Sequence, residues 1–206
     1  MGSVFDPSFQ HEDVDAKIVA SLERLGQAFR VLLRERAREH SLSPIQAQFL
    51  VYLLYHDVEL GRVGQLAREF DLTPATVSDA VVSLEAKGLL DRERWPEDRR
   101  VITLRLSPEG ELVAAELSGW ANMVREHLDL YPPQEREVVM RFLMRLIGSL
   151  QRSGVVTVAR MCVTCRFFQR DVHPGLDTPH HCGLLDMPLG PGDLRVDCPE
   201  HELMRS

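Results

Sequence analysis

The sequence predicts a mainly α-helical protein with one small β-hairpin and a cysteine-bearing tail. Three observations predict this architecture. Apolar residues recur at helical spacing through most of residues 14–151, a two-residue alternation replaces that spacing in residues 90–106, and all four cysteines lie beyond residue 161. We therefore expect two domains, a helical body over residues 1–158 and a loop-rich, cofactor-binding tail over residues 159–206.

The composition is that of an ordinary globular chain, with 206 residues of which 44% are hydrophobic and 27% charged. The longest apolar run, Phe49 to Tyr55, is too short to span a bilayer, and the N-terminus lacks the pattern of a secretion signal. We therefore expect a cytoplasmic protein without a membrane partner. Because no nucleotide-binding loop, flavin motif or catalytic Ser/His/Asp set occurs, we expect no enzyme activity. The net charge of −7 excludes a chain coated in basic residues but allows a local basic surface.

The first two predicted helices are separated by a clear stop and restart. Residues 14–39 carry apolar side chains at helical spacing. Ser43 followed by Pro44 is typical of an N-cap and first helical position, and predicts a second helix that carries Phe49 and Leu50 into a core.

Two shorter helices follow, over residues 62–70 and from Thr73-Pro74 to Lys87-Gly88. Asp71-Leu72 is a tight break between them, and Gly88 suits the left-handed conformation that ends many helices. This order predicts a helix-turn-helix.

The segment after Gly88 changes to the period of β-strands. Residues 90–95 and 101–106 alternate, and residues 96–100 between them form an arginine-rich tip. A helix-turn-helix followed by a hairpin is a winged helix-turn-helix, in which the second helix can lie in a major groove while the hairpin reaches a neighbouring groove or phosphates.

The body ends with two helices, over residues 108–128 and 133–151, which Tyr131-Pro132-Pro133 separates. Long helices on both sides of the winged unit carry more apolar surface than one protomer covers. The sequence therefore predicts a homodimer.

Three segments of the body resemble the MarR family of bacterial transcriptional regulators: residues 66–78, residues 84–92 and residues 98–110. The "LE..GLL.R" and "DRR…L.LS..G" patterns carry most of this likeness, which spans residues 14–152. It implies a homodimer that is joined through its terminal helices, binds a pseudo-palindromic operator in double-stranded DNA and usually represses transcription.

The second helix of the helix-turn-helix and the hairpin supply the candidate DNA contacts. Val77, Val81 and Leu84 should anchor the helix, which turns its N-terminal polar residues toward base edges. Arg99 and Arg100 should enter a minor groove or clamp phosphates, with Asp98 orienting one of them. The predicted DNA-binding residues are Thr73, Ala75, Thr76, Ser78, Asp79, Lys87, Arg92, Arg94, Arg99 and Arg100.

The recognition helix departs from the family pattern because residues 73–86 contain no basic residue and include Asp79 and Glu85. This weakens the sequence-independent attraction to phosphates. Neighbouring basic residues either compensate or form solvated ion pairs: Arg62, Arg68, Lys87, Arg92 and Arg94.

The tail reads Cys162-x2-Cys165-x16-Cys182-x15-Cys198. Four thiolates can enclose one tetrahedral metal ion or an iron–sulfur cluster. Because nothing in residues 161–206 predicts a core that forms unaided, we expect the cofactor to organise this segment.

The spacing resembles that of high-potential iron–sulfur proteins, in which a Cys-x-x-Cys and aromatic residues precede a Cys-x-Leu and a lone final cysteine. This favours an iron–sulfur cluster, in the 4Fe–4S form, held by Cys162, Cys165, Cys182 and Cys198. Zinc is the alternative, although zinc ribbons usually present two Cys-x-x-Cys knuckles; a dithiol switch or free thiols complete the options. An apolar shell is expected from Phe167, Phe168, Leu184, Leu185 and Leu194.

The tail histidines His180, His181 and His201 either replace a cysteine as ligand or are exposed loop residues.

We therefore predict a DNA-binding repressor whose cluster senses redox state, oxygen, nitric oxide or iron supply, with coupling through Gly154 and residues 155–158. One alternative is a repressor with a structural zinc tail and a small-molecule effector bound near Trp120, Phe29 or Tyr52, unless these three are core aromatics. The other is an iron–sulfur electron-transfer component that uses the winged helix as a scaffold.

Overall fold

The computed structural model describes residues 3–7, 11–95 and 100–204. Its contacts fall into two units, Met1–Val63 with Ala75–Arg125 and Gly64–Pro74 with Glu126–Ser206. The sequence placed a boundary at residue 158, whereas these contacts group the last body helix with the tail. Within the described part of the chain, no helix is long and apolar enough to cross a membrane.

The first unit begins with two capped helices, the second of which starts at the predicted N-cap Ser43. Helix α1 spans Val14–Glu39, and the carboxylate of Asp13 accepts hydrogen bonds from the first N–H groups of this helix. Helix α2 spans Pro44–Tyr55. The Ser43 hydroxyl accepts from the Gln46 N–H at 3.3 Å while the Gln46 side chain accepts from the Ser43 N–H at 3.0 Å, which is a capping box.

The helix-turn-helix consists of α3, Val63–Glu69, and α4, Pro74–Ala86. Asp71 in the break has a left-handed backbone with φ of 51°, and Gly88 beyond α4 has φ of 69°. The predicted turn and helix end therefore both lie in the left-handed conformation.

The wing is formed by β1, Leu90–Arg94, and β2, Ile102–Leu106, which pair antiparallel with Leu90 opposite Leu106. The Leu104 N–H also donates to the carbonyl of Gly61 at 2.6 Å, so β2 is held on its other edge as well. The N-terminal part of the hairpin tip, residues 96–99, lies outside the described residues.

The region predicted as one helix over residues 108–128 is instead divided. Helix α5 spans Pro108–Leu117, a 3-10 turn covers Ser118–Ala121, and helix α6 spans Asn122–Leu128. Gly119 lies in the interruption, where its weak helix preference favours a break. The core of the first unit is formed by fully buried apolar side chains that include Phe49, Leu50, Val77, Val81, Leu84, Leu90, Leu104 and Leu117.

The second unit joins α3 and the long helix α7, Pro133–Arg152, to the tail. The tail contains a three-stranded antiparallel sheet in the order β3 (Phe168–Gln169), β4 (His180–Cys182), β5 (Met187–Leu189). Short 3-10 turns at Cys162–Thr164 and Pro191–Asp193 complete it.

The tail has a small core to which α7 contributes. The buried members of this core are Met144, Ala159, Met161, Leu189 and Leu194. The sequence predicts a loop-rich tail that does not form a core unaided. In the structure, Met144 of α7 contributes a buried apolar side chain to the core of the tail.

Gly110 in the first turn of α5 has no room for a side chain. A Cβ there would lie 1.9 Å from the carbonyl oxygen of Leu89 and 2.9 Å from its carbonyl carbon. Because backbone atoms cannot rotate away, we expect Gly110→Ala to lower the free energy of unfolding by about 2 kcal/mol or more. Urea denaturation followed by circular dichroism measures this.

The matched control is Gly64→Ala in α3, where a Cβ would meet no atom within 4 Å. This change should leave stability unchanged or raise it by a few tenths of a kcal/mol, roughly the helix preference of alanine. Equal denaturation midpoints for the two variants would contradict the close approach at Gly110.

Candidate functional site

Helix α4 presents the polar surface that the sequence predicts for base reading. Val77, Val81 and Leu84 are completely buried and fix one face of the helix. On the other face, the structure leaves the predicted contacts Thr73, Ala75, Thr76 and Asp79 exposed, and Ser78 half-buried. Hydroxyl groups at the N-terminal end of such a helix can donate to or accept from base edges.

Two of the predicted basic contacts are engaged within the chain. The Arg92 guanidinium lies 2.9 Å from the carboxylate of Glu85, and the Lys87 ammonium donates to the Ser41 carbonyl. Arg94 and Arg100 are exposed. Arg99 lies outside the described residues, so its predicted role in the wing tip is unaltered by the structure.

A contact between Arg62 and Trp95, which the sequence does not predict, supports the wing. The guanidinium of Arg62 lies 5.7 Å from the ring centre of Trp95, where β1 leads into the tip. A cation–π contact of this kind holds the wing close to its tip. The sequence predicts Arg62 either as a compensating charge for phosphate contacts or as part of a solvated ion pair, because a side chain 33 positions before Trp95 gives no sequence signal of stacking.

The four predicted cysteine ligands border one cavity. All four are free thiols, with Cys165 buried and the others half-buried. The cavity has a volume of about 30 Å³ and its walls are apolar except for Glu200. Its lining residues are Cys162, Cys165, Cys182, Cys198, Phe167, Phe168, Leu184, Leu185, Leu189 and Glu200.

The apolar shell agrees with the sequence except at Leu194. Leu194 packs in the tail core with Met144 and does not line the cavity, whereas Leu189 belongs to the same core and also lines the cavity. The apolar pattern of the tail could not distinguish these two leucines, because which of them reaches the cysteines depends on the turn between β5 and Cys198.

Backbone hydrogen bonds hold the sulfur-bearing segments together. Cys162 donates its N–H to the Arg195 carbonyl at 3.1 Å, and the Arg195 N–H donates to the Cys162 sulfur at 3.2 Å. Cys182 ends β4 opposite Phe168 of β3, and the Cys198 N–H donates to the Arg160 carbonyl at 2.9 Å. The single knuckle and the two distant cysteines thus reach the cavity from three separate segments.

Burial raises the pKa of the Cys162 thiol, although the Arg195 N–H bond acts in the opposite direction. Burial also raises the pKa of Cys198. Both groups are therefore protonated thiols at neutral pH, and a metal that binds them as thiolates releases protons. Among the described residues, no three His, Cys, Asp or Glu side chains converge in the manner of a site for a single metal ion.

The three tail histidines lie away from the walls of the cysteine cavity, and they are half-buried rather than exposed. His180 Nδ1 lies 3.2 Å from the Asp171 carboxylate, and His181 lies 3.2 Å from both His173 and Asp186. His201 is within 3.0 Å of the Thr164 hydroxyl, and burial lowers the pKa of His201. The structure therefore supports neither the ligand nor the exposed-loop interpretation of these residues.

Arg160 links the cysteine segment to α3. Its guanidinium makes two hydrogen bonds to Glu69, of 2.8 and 3.2 Å, and two to Asp197, of 2.6 and 3.3 Å. The Arg160 and Glu69 side chains are only 13% and 17% exposed. Burial alone would lower the pKa of Arg160, but the hydrogen bonds to Asp197 and Glu69 raise it, so the group is a permanent cation.

A second contact joins the same two segments. The Thr157 hydroxyl donates to the Arg68 carbonyl at 2.7 Å, which satisfies an acceptor at the C-terminal end of α3. Thr157 lies in the stretch 155–158 where the sequence predicts coupling, whereas Arg160 was missed because its partner Glu69 is 91 positions away.

The aromatic residues considered for an effector pocket pack against neighbours in the first unit. Phe29 and Trp120 lie edge to face with ring centres 6.0 Å apart, and Tyr52 stacks on His56 at 3.9 Å. These contacts agree with the interpretation of the three as packing residues.

Two short helices, a left-handed turn, an anchored second helix and a two-stranded wing define a winged helix-turn-helix domain. Residues 40–101 match the model of the MarR family.

Three known proteins illustrate what this chain is similar to. The uncharacterized HTH-type transcriptional regulator YsmB of Bacillus subtilis is 26% identical over 141 residues, which cover 65% of this chain and 94% of that protein. FabT of Streptococcus pneumoniae, solved in complex with DNA, has a TM-score of 0.59 and 24% identity over 66% of this chain and 96% of that chain. MepR of Staphylococcus aureus, solved as a DNA complex, has a TM-score of 0.56 and 20% identity, covering 64% of this chain and 97% of that one. At these identities, the two solved structures establish the fold alone.

Proposed function

We propose that the chain is a DNA-binding transcriptional regulator of the MarR family, acting as a homodimeric repressor on a pseudo-palindromic operator. The family match over residues 40–101, the anchored helix α4 with exposed polar residues and the arginine-bearing wing support this function. The relatives MepR and FabT were both solved with DNA. The apolar residues exposed on α7, such as Val138, Val139 and Phe142, supply surface for a second protomer.

We further propose that Cys162, Cys165, Cys182 and Cys198 hold an iron–sulfur cluster. The single observation that carries this proposal is that all four cysteines line one cavity, whose walls are mostly apolar. Soft thiolates suit iron–sulfur clusters and zinc alike, while apolar walls and the Arg195 N–H bond to sulfur are features that tune cluster potentials. When bound, a cluster supplies a charge that changes with redox state.

The regulatory part of the proposal rests on the contacts between the cysteine segment and α3. The Cys198 N–H is bonded to the backbone of Arg160, and the Arg160 side chain is bonded to Glu69 at the end of α3. A change in the conformation of residues 195–200 therefore acts on Arg160, whose guanidinium binds α3. Because α3 is the first helix of the helix-turn-helix, the cofactor state can favour one of two arrangements of the DNA-binding domain.

The test begins with anaerobic purification of the full chain and analysis of its metal. We expect a brown protein with iron and acid-labile sulfide in equal amounts; a colourless protein with stoichiometric zinc would make the cluster proposal wrong.

An operator is then selected from a random-sequence DNA library with the loaded protein. We expect the loaded and the metal-free forms to differ at least tenfold in affinity for it, about 1.4 kcal/mol. Equal affinities would make the cofactor structural rather than sensory.

A further inference from the structure

The segment 73–86, which contains α4, lacks every side chain that pairs with the edge of a purine. In the major groove of B-DNA, arginine and lysine bind guanine O6 and N7, and asparagine and glutamine bind adenine N6 and N7. None of these four residue types occurs in the segment. Lys87, which follows it, donates to the Ser41 carbonyl. A base pair under α4 is therefore read through its pyrimidine, or through hydroxyl contacts that fit several bases.

Three exposed positions of α4 form one stripe along the helix. Ala75, Asp79 and Val82 follow one another at spacings of four and three residues, which places them on the same side. Val77 and Val81 face the core and are completely buried. At a rise of about 1.5 Å per residue, the stripe is about 10 Å long, which matches the height of about three base pairs.

Val82 gives this stripe an apolar end. Its side chain is 56% exposed, although it is one of the larger apolar residues of the helix. A valine cannot form a hydrogen bond with a base, so its favourable contact in a major groove is with the 5-methyl group of thymine. Ala75, at the other end of the stripe, is exposed and presents a second methyl group.

Asp79 places a hydrogen-bond acceptor between the two apolar positions. Among the described residues its carboxylate has no hydrogen-bond or ion-pair partner, whereas the Glu85 carboxylate of the same helix lies 2.9 Å from the Arg92 guanidinium. A carboxylate only accepts, and cytosine presents its N4 amino group as a donor in the major groove. Adenine also presents an amino group, but its neighbouring N7 is an acceptor that repels a carboxylate.

We propose that α4 reads its half-site through pyrimidine edges. Asp79 accepts from the amino group of a cytosine, and Val82 and Ala75 contact the methyl groups of thymines. This inference rests on the proposed function and adds the chemistry of the operator, which contains a C·G pair with T·A pairs beside it under each copy of α4.

The test uses the full-length protein as purified and the operator selected with it. Each thymine is replaced, in both half-sites together, by deoxyuridine, which keeps the base pairing and lacks the methyl group. At one or more positions we expect binding to weaken about tenfold or more, since each buried methyl group contributes about fourfold. If no replacement weakens binding, the inference is wrong while the selected operator leaves the proposed function in place. If no sequence is enriched, both are wrong.

The variant Val82→Ala assigns the methyl contact. It should bind the unmodified operator about tenfold more weakly than the parent, and deoxyuridine at the contacted thymine should cause no further loss. The matched control is Val172→Ala, the same change at a tail residue that is 45% exposed. This control should keep the parent affinity and the whole deoxyuridine effect. A whole effect in Val82→Ala as well would overturn the assignment of Val82.

The variant Asp79→Ala assigns the cytosine contact. In the parent, replacement of the contacted C·G pair by T·A should weaken binding about tenfold, and in Asp79→Ala this preference should vanish at that pair alone. Affinity for unrelated DNA should stay equal or rise, because a negative charge leaves the DNA-facing surface. The control Glu85→Ala removes the same charge and should keep the preference. A preference retained in Asp79→Ala would overturn the assignment of Asp79.

Discussion

Replacement of Arg160 by methionine is expected to lower the free energy of unfolding by about 3 kcal/mol, because it strands a buried carboxylate. Methionine keeps the apolar stem of the side chain but removes every donor to Glu69, whose side chain is only 17% exposed. Asp197 is half exposed and is hydrated once the guanidinium is removed. Most of the loss in stability therefore comes from the unpaired charge of Glu69. Urea denaturation at neutral pH measures the change.

A matched control is available in the same unit. Arg166 lies 2.9 Å from Glu202, but both side chains are about half exposed. Because exposed ion pairs contribute little, Arg166→Met should change stability by less than about 0.5 kcal/mol. A loss for Arg160→Met no larger than this would contradict the buried pair.

The same variant tests the coupling between the cysteine site and DNA. In Arg160→Met the cofactor should bind as in the parent protein, while the difference in operator affinity between loaded and metal-free forms should largely vanish. The double variant Arg160→Met/Glu69→Leu removes the stranded charge and should regain stability without regaining the affinity difference. A full difference in Arg160→Met would exclude this route, although sensing by another route would stand.

Sequence alone predicts the parts of this protein that local rules determine. The N-cap at Ser43, the left-handed Gly88 and the two strands of the hairpin all follow from short local patterns in the sequence. The 3-10 interruption at Ser118–Ala121 was missed because the apolar residues on either side keep one helical spacing through it.

The candidate cysteine site was only partly predictable. Thiol chemistry identifies the four sulfurs by residue type, but the path of the chain decides which side chains surround them. The contacts of Arg160 with Glu69 and of Thr157 with the Arg68 carbonyl join positions about 90 residues apart, and no spacing rule reaches that far.

One of the two acidic residues of the recognition helix α4, Glu85, forms an ion pair in the structure. The Glu85 carboxylate lies 2.9 Å from the Arg92 guanidinium, so the charges of these two side chains neutralise each other on this surface. Lys87 is bonded to a carbonyl of the same unit. We therefore expect the attraction to phosphates to be concentrated on the wing, where Arg94 and Arg100 are exposed and Arg99 directly precedes Arg100 in the sequence.

The wing tip is therefore where we expect a substitution to change DNA affinity most. We expect Arg99→Ala/Arg100→Ala to weaken binding to the selected operator and to unrelated DNA alike, by about 10- to 100-fold at physiological salt. If both arginines contact phosphates, the slope of log affinity against log salt should fall by about 1.8, or roughly 0.9 for each contact. Fluorescence anisotropy titrations at several salt concentrations measure both quantities.

The control Arg136→Ala/Arg166→Ala removes the same charge from two arginines that are paired with Asp129 and Glu202. It should leave the salt slope unchanged, because a change in net charge alone acts only through weak, long-range attraction. An equal loss in the control would assign the effect to net charge, and an unchanged slope in the wing variant would remove the wing tip from the phosphate contacts. A loss confined to the operator would instead mean that the two arginines read the sequence or shape of a groove, since phosphate contacts carry no preference for one sequence over another.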